Sequence, residues 1–148
     1  MYHAIIEQTR EYENRVKFDP IRNIFYETES KSLAYVRNFP YPYGWIKESG
    51  TPPGPHLDVI LLSSNEYKLG DEILIKIVGC FVRNDGDSKF IGILPERLET
   101  DFFELPEDEK ADLSRLYPLV GDGEGWYGAE KAMEIIKNFL SNMIEHSI

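Results

Sequence analysis

The chain has little that would mark it as secreted, membrane-spanning or nucleic-acid-binding. It has one cysteine, Cys80, which excludes an internal disulfide and suits a reducing compartment. No N-terminal apolar stretch resembles a signal peptide, and no apolar run is long enough to span a bilayer. Basic residues are few: 16 Lys and Arg stand against 26 Asp and Glu, giving a formal net charge of −10. That charge disfavours a general nucleic-acid binder, and we expect a cytoplasmic protein.

The residues that are present favour one ordinary folded domain. The 148 residues are 42% hydrophobic and include two Trp, nine Tyr and eight Phe, which is enough for a core and argues against disorder. We therefore predict a single domain over residues 1–148. Cys80 lies inside an apolar run, so it is predicted to be a small core side chain rather than a nucleophile.

The first two thirds of the chain read as short strands separated by turns. Residues 84–87, Asn-Asp-Gly-Asp, form a strong hairpin signal. Many short strands with turn signals between them are typical of a closed or partly closed barrel. The predicted strands cover residues 4–6, 15–18, 24–27, 33–37, 59–62, 72–83 and 89–94.

The last third changes to helical spacing. A helix is predicted to open at residues 105–109 and to end near Leu116, ahead of Pro118, and residues 121–125 are predicted to be a flexible acidic loop. A C-terminal helix that packs one face on the barrel is predicted from apolar residues at helical spacing: Ala129, Ala132, Met133, Ile136, Leu140, Met143 and Ile144.

The most informative segment is residues 39–58. It begins Phe-Pro-Tyr-Pro-Tyr-Gly-Trp-Ile, with a predicted turn at Tyr-Gly, and ends Pro-Gly-Pro-His-Leu-Asp before an apolar strand. Residues 105–107 read Leu-Pro-Glu, and residues 124–132 contain Glu-Gly-Trp followed by Ala-Glu-x-Ala. In this order the motifs resemble those of the soluble family I inorganic pyrophosphatases along nearly the whole chain. The resemblance implies a mainly β fold, an OB-like five-stranded β-barrel plus two α-helices.

The implied activity is Mg²⁺-dependent hydrolysis of inorganic pyrophosphate to two phosphates, with other divalent ions possible. Metal ions neutralise such a substrate and acidify the attacking water, while Lys, Arg and Tyr hold the phosphates. The resemblance implies metal ligands at Asp58, Asp85, Asp87 and Glu7, and substrate binding by Lys17, Arg37, Tyr43, Lys89 and Tyr117. Catalytic roles are expected for Asp58, Asp87, Lys89 and His56.

The chain departs from the family pattern at specific positions. Pro53 and Pro55 replace two acids, and the second of those acids is the residue that deprotonates the attacking water in the family. Proline offers neither a metal ligand nor a proton acceptor. His56, beside Asp58, is the candidate replacement base. Pro118 stands where a lysine normally follows the pocket tyrosine.

Alternatives follow from these departures. The chain could be a catalytically silent relative that binds phosphate or nucleotide, or that serves as an assembly partner. Asp85 and Asp87 could be turn residues only, because Asn-Asp-Gly is favoured there for backbone reasons. A base-stacking platform of Tyr41, Tyr43 and Trp45 is opposed by the net charge and by the lack of interleaved Lys or Arg.

A homo-oligomer is expected from the resemblance, because the family forms closed oligomers and symmetric assemblies are common. The C-terminal helix could supply part of the interface through Phe139, Met143 and Ile144.

Overall fold

The computed structural model describes residues 1–147, with side chains to residue 144, so Ile148 at the end of the predicted domain lies outside the described residues. The elements in chain order are β1 (Tyr2–Gln8), β2 (Asn14–Asp19), β3 (Ile24–Lys31), α1 (Leu33–Val36), β4 (Tyr43–Ile46), β5 (Asp58–Leu61), β6 (Glu72–Val82), β7 (Lys89–Ile93), α2 (Glu107–Leu116), β8 (Gly125–Gly128) and α3 (Ala129–Ser147). No helix among the described residues is both long and apolar enough to cross a membrane.

A closed barrel of five strands forms the centre of the fold. The order is β1-β4-β5-β7-β6, and β6 pairs again with β1, which closes the ring. β5 and β7 are parallel, whereas the other neighbours in the ring are antiparallel. Closure leaves these strands no free sheet edge within the ring. The predicted five-stranded barrel is confirmed.

The helices cover the barrel from two sides. Successive residues of β5 point to opposite faces: Val59 and Leu61 belong to one buried cluster, and Ile60 and Leu62 to the other. Ala132 and Ile136 of α3 complete the first cluster. The second receives Leu113 and Leu116 of α2. The predicted C-terminal helix therefore packs one face on the barrel, but Ile144 of the predicted apolar stripe is 63% exposed. Cys80 is fully buried in the core, as expected.

The strand predicted at residues 33–37 is wrong, because α1 occupies this segment. The Ser32 hydroxyl accepts a hydrogen bond from the Tyr35 N–H at 3.4 Å and caps the helix N-terminus. Asn38, with φ of 53°, follows directly and is one of the residue types that tolerate this conformation. The cap is a local side-chain effect that the apolar pattern did not reveal.

Two further strands were not predicted. The expected Tyr-Gly turn is instead the start of β4, which pairs with β1 and β5. β8 follows the acidic loop and pairs with β6, with Trp126 opposite Phe81. Both strands are only four residues long, so their pairing partners, rather than their own pattern, define them.

The β2–β3 hairpin forms a separate two-stranded sheet beside the barrel. Phe18 from β2 and Phe25 from β3 pack on Trp45 of β4, with ring centroids 5.4 and 6.1 Å from the indole. The two phenylalanines also contact each other at 4.8 Å. This aromatic cluster fixes the hairpin against the barrel and so positions the basic residues that β2 carries.

The glycine of the Tyr-Gly pair has a packing reason. A Cβ at position 44 would lie 1.7 Å from the Ile5 carbonyl oxygen and 2.7 Å from its carbonyl carbon. Both are backbone atoms of β1, so neither can move aside without opening the β1–β4 pairing. Only glycine allows the two strands to approach this closely.

We expect Gly44→Ala to destabilise the protein by about 3 kcal/mol or more, because the new methyl group would force β1 and β4 apart. Urea unfolding followed by circular dichroism measures this. Gly54→Ala is the matched control, because its Cβ would meet only the Thr51 carbonyl oxygen, at 3.2 Å. A Gly44→Ala protein as stable as the Gly54→Ala control would show that the close approach is not a constraint.

Candidate active site

A cavity of about 680 Å³ lies between the mouth of the barrel and the β2–β3 hairpin. β1, β4, β5 and β7 contribute its barrel side. β2, β3, the start of α1, the end of α2, the β6–β7 turn and the loop before β5 contribute the rest. Eight of the ten site residues proposed from sequence line it: Glu7, Lys17, Tyr43, His56, Asp58, Asp87, Lys89 and Tyr117. Arg37 and Asp85 do not line it.

A buried ion pair forms the floor of this cavity. Asp58 on β5 and Lys89 on β7 are direct partners in the parallel pairing, and their side chains are 18% and 17% exposed. The Lys89 Nζ lies 2.5 Å from Asp58 Oδ2 and 3.0 Å from each carboxylate oxygen of Asp87. One ammonium group thus bridges two carboxylates.

The charge states of this pair follow from mutual stabilisation. Burial by itself lowers the pKa of Lys89, but the Asp58 charge and hydrogen bond reverse this effect and leave the pKa raised. Burial raises the pKa of Asp58, yet the hydrogen bond from His56 and the Lys89 charge together bring it below its usual value. Both groups are therefore charged at neutral pH.

His56 is held as a hydrogen-bond donor on both ring nitrogens. Its Nδ1 lies 2.8 Å from the Gly54 carbonyl oxygen, and its Nε2 lies 3.0 Å from Asp58 Oδ1. A carbonyl and a carboxylate can only accept, so this arrangement requires the imidazolium form. The Asp58 hydrogen bond is the main cause of a raised His56 pKa. In this geometry His56 carries a proton to give, so the replacement-base role expected from sequence would require it to lose that proton first.

Glu7, at the end of β1, is the cavity's unpaired acid. It is only 9% exposed, and its carboxylate has no hydrogen bond or ion pair within the part of the chain that the structure describes. Burial, reinforced by the nearby Asp58 charge, raises the pKa of Glu7 to about 7. The neighbouring Tyr43 has its pKa raised to about 12, chiefly by burial. Tyr43 is therefore a protonated donor at neutral pH.

Cationic side chains line the cavity, and three of them were not predicted from the sequence: Arg15, Lys31 and Arg83. Five of its lining residues are Lys or Arg and four are Asp or Glu, in a chain whose net charge is −10. The side chains of Arg15 and Lys17 on β2 make no hydrogen bond or ion pair with any described residue. Arg15 could have been found from its spacing, because residues two apart share a strand face. Lys31 and Arg83 also line the cavity, and no local signal marks them.

Arg37 and Asp85 have structural partners instead. The Arg37 guanidinium donates a hydrogen bond to the Leu116 carbonyl at the end of α2, next to Tyr117. Asp85 accepts the Asp87 N–H at 2.9 Å and lies 3.2 Å from Arg83, an arrangement typical of a hairpin turn. These contacts favour the alternative of a turn role for Asp85.

Tyr117 is fixed by aromatic packing. Its ring stacks on Phe81 at 4.5 Å with an interplanar angle of 2°, and the Arg83 guanidinium lies 5.6 Å from the ring centre. Burial raises the pKa of Tyr117, so its hydroxyl remains protonated. The stack brings the end of α2 to the cavity.

The acids present do not fit a divalent ion held by the protein alone. Both oxygens of Asp58 contact cations, and both oxygens of Asp87 contact Lys89. Residues 1–147 contain no group of three or more His, Cys, Asp or Glu side chains placed to hold a metal. Mg²⁺ needs oxygen ligands that are free to coordinate, and within this set only Glu7 has its carboxylate unpaired.

Comparisons with known proteins agree on the fold. No family model matches the chain. It is 24% identical to the inorganic pyrophosphatase of Geobacillus stearothermophilus over 156 residues, covering 96% of this chain and 93% of that protein. The crystal structure of an inorganic pyrophosphatase from Neisseria gonorrhoeae matches with a TM-score of 0.73 and 19% identity, covering 95% and 89% of the two chains. The crystal structure of the inorganic pyrophosphatase from Thermus thermophilus matches with a TM-score of 0.68 and 21% identity, covering 95% of this chain and 89% of that chain. The resemblance found in the sequence is confirmed.

We expect Glu7→Gln to stabilise the protein at pH 8. The folded-state pKa of Glu7, about 7, lies above its ordinary value of 4.5, so Glu7 favours folding most at low pH. That contribution is lost as the pH rises through 7. Glutamine is neutral throughout, so the variant should exceed the wild type by on the order of 2 kcal/mol at pH 8 and by little at pH 4.5.

Urea unfolding at several pH values tests this expectation. The control is Glu29→Gln on β3, an exposed position, which should follow the wild type at every pH. Parallel stability curves for the wild type and Glu7→Gln between pH 4.5 and 8 would mean that Glu7 does not change its charge over this range in the folded protein.

Proposed function

We propose that this chain, a divergent relative of the inorganic pyrophosphatases, hydrolyses inorganic pyrophosphate to two phosphates. The observation that carries the proposal is the convergence of basic side chains from several separate segments on one cavity of an acidic protein. Such a cavity attracts a polyanion that the rest of the surface repels.

Substrate binding in this proposal uses the cations of the hairpin and the two tyrosines. Arg15 and Lys17 have no internal partner, so their charges are available to phosphate oxygens through charge-assisted hydrogen bonds. Lys31 and Arg83 stand at other points of the cavity wall and can contact a second phosphate group. Tyr43 remains a neutral hydroxyl donor at the pH of the reaction.

Proton transfer is assigned to Glu7 and His56, because one has an unpaired carboxylate and the other is held as an imidazolium. A water molecule attacks one phosphorus and gives its proton to the Glu7 carboxylate, because this acid is unpaired and its pKa of about 7 suits a base near neutral pH. The bridging P–O bond breaks, and the departing phosphate takes a proton from the His56 imidazolium. His56 thus acts as the acid rather than as the base expected from sequence.

Magnesium enters this proposal with the substrate. Since the donor set does not fit a resident ion, we propose that the ion is taken up as the magnesium complex of pyrophosphate, where it offsets part of the anionic charge. Asp58 and Asp87 then serve to hold Lys89, and the metal-ligand roles predicted for Asp58, Asp85, Asp87 and Glu7 give way to the contacts described above.

We further propose a cytoplasmic homo-oligomer, as expected from sequence. The relevant observation is α3, on which Phe139 and Met143 are only half-buried. Closed symmetric oligomers are the common outcome for such proteins. Light scattering at micromolar protein concentration distinguishes an oligomer from a monomer.

We expect Arg15→Ala and Lys17→Ala each to lower kcat/KM for pyrophosphate by about ten- to a hundredfold, the effect of losing one hydrogen bond to a charged group. The melting temperature should not change, because neither side chain has an internal partner. The control is Lys137→Ala, an exposed position on α3. Unchanged kcat/KM in both cavity variants would remove these residues from the substrate site.

The activity itself is tested by phosphate release from pyrophosphate with and without magnesium. We expect release that increases with magnesium, because the ion offsets part of the substrate charge. Release should be slow, because a general base contributes about a hundred- to ten-thousandfold and Glu7 replaces the family's base from another segment of the chain. Pyrophosphate that binds without any release under either condition would favour the alternative, a catalytically silent protein that binds phosphate.

A further inference from the structure

The Lys89 ammonium lies between two carboxylates of the cavity lining, those of Asp58, 18% exposed, and Asp87, 56% exposed. Its Nζ is 2.5 Å from Asp58 and 3.0 Å from both oxygens of Asp87. We propose that Lys89 takes the place of a divalent ion between Asp58 and Asp87, and that the cavity therefore binds inorganic phosphate without a metal. The choice of phosphate as ligand rests on the proposed function; the metal independence does not.

Backbone pairing places Lys89 beside Asp58, and the two carboxylates hold its ammonium. Asp58 and Lys89 are directly opposite in the β5–β7 register, and both side chains are more than four-fifths buried. A divalent ion placed between the carboxylates would lie against a buried ammonium of like charge, at a depth where repulsion is weakly screened. Lys89 would have to leave before such an ion could bind.

The remaining oxygen of Asp58 is also occupied. His56 Nε2 lies 3.0 Å from Asp58 Oδ1, so the carboxylate contacts a cation on each side. Positions 53 and 55 of the loop before β5 offer no replacement side-chain ligand, because Pro53, which lines the cavity, has no side-chain donor atom, and neither does Pro55. The cations Lys89 and His56 balance the anions Asp58 and Asp87 within the protein.

Because these four charges pair with one another, other cationic side chains of the cavity are available to bind a ligand. Arg15 and Lys17 line the same cavity without hydrogen-bond or ion-pair partners among residues 1–147. Among the described residues of the cavity lining, Glu7 is the only acid whose carboxylate has no hydrogen bond or ion pair. A small tetrahedral oxyanion with one or two negative charges matches this surplus and needs no metal to offset it.

Two titrations of the wild-type protein test the inference. Calorimetry with inorganic phosphate should give the same dissociation constant, within about threefold, in buffer containing a chelator and in buffer containing magnesium. Electron paramagnetic resonance of Mn²⁺ should show no bound ion when phosphate is absent. Neither experiment depends on turnover or on a variant that must fold.

The variant Lys89→Met tests the inference further, because it should gain the ability to bind a divalent ion. Removal of the ammonium frees Asp58 and Asp87, so this variant should bind Mn²⁺ and should lose at least about tenfold in phosphate affinity in chelator. Circular dichroism establishes that it is folded. The matched control is Lys47→Met, whose ammonium pairs with Glu72 at 2.6 Å on the surface, outside the cavity, and which should leave both titrations unchanged.

The outcomes separate this inference from the proposed function. Wild-type protein that binds Mn²⁺ by itself, or that binds phosphate only when a divalent ion is present, overturns the inference even if pyrophosphate is hydrolysed. The absence of any phosphate binding overturns it as well. Metal-independent phosphate binding without release of phosphate from pyrophosphate supports the inference and counts against the proposed hydrolysis.

Discussion

The structure depends on the closure of the barrel through β1. This strand pairs with β4 on one side and with β6 on the other, and the approach to β4 is possible only because position 44 is glycine. Around the ring, the end of β1 pairs with the start of β4, β4 pairs with β5, and the start of β5 pairs with the start of β7. Glu7, Tyr43, Asp58 and Lys89, distant in sequence, therefore reach one mouth of the barrel. The aromatic packing of the hairpin on Trp45 then adds the basic wall of the cavity.

The pKa values of the acids in this cavity depend on whether each carboxylate has an oppositely charged partner. Asp58, Asp87, Lys89 and His56 form a connected set in which each charge has an opposite neighbour, and these contacts offset the desolvation of Asp58 and Lys89. Glu7 has no such partner and is pushed towards its neutral form. Burial therefore affects paired and unpaired acids differently: Asp58 keeps a lowered pKa, whereas the pKa of Glu7 is raised to about 7. The different roles proposed for these two acids follow from this difference.

The comparison with known pyrophosphatases shows a fold that persists at low sequence identity. At 24% identity or below, the barrel and helices align over nine tenths of the chain. Within that frame, prolines occupy positions 53 and 55, and an ammonium bridges the remaining acids. Packing tolerates many apolar substitutions, whereas ion binding depends on the number of free ligands. Chemistry at the site can therefore diverge faster than the architecture.

Spacing and motif order act along the chain, so they predicted four of the five barrel strands, the terminal helix and the candidates Glu7, Lys17, Asp58 and Lys89, but not β4. The strand predicted at residues 33–37 is wrong, because one serine cap favours a helix there. Phosphate binding by Arg37 stays a prediction, and in this structure Arg37 contacts the end of α2. Only the tertiary structure brought Arg15, Lys31 and Arg83 to the cavity and gave His56 two acceptors. Tertiary folding brings distant segments together and supplies the hydrogen-bond partners that hold a proton in place. No local sequence pattern encodes these contacts.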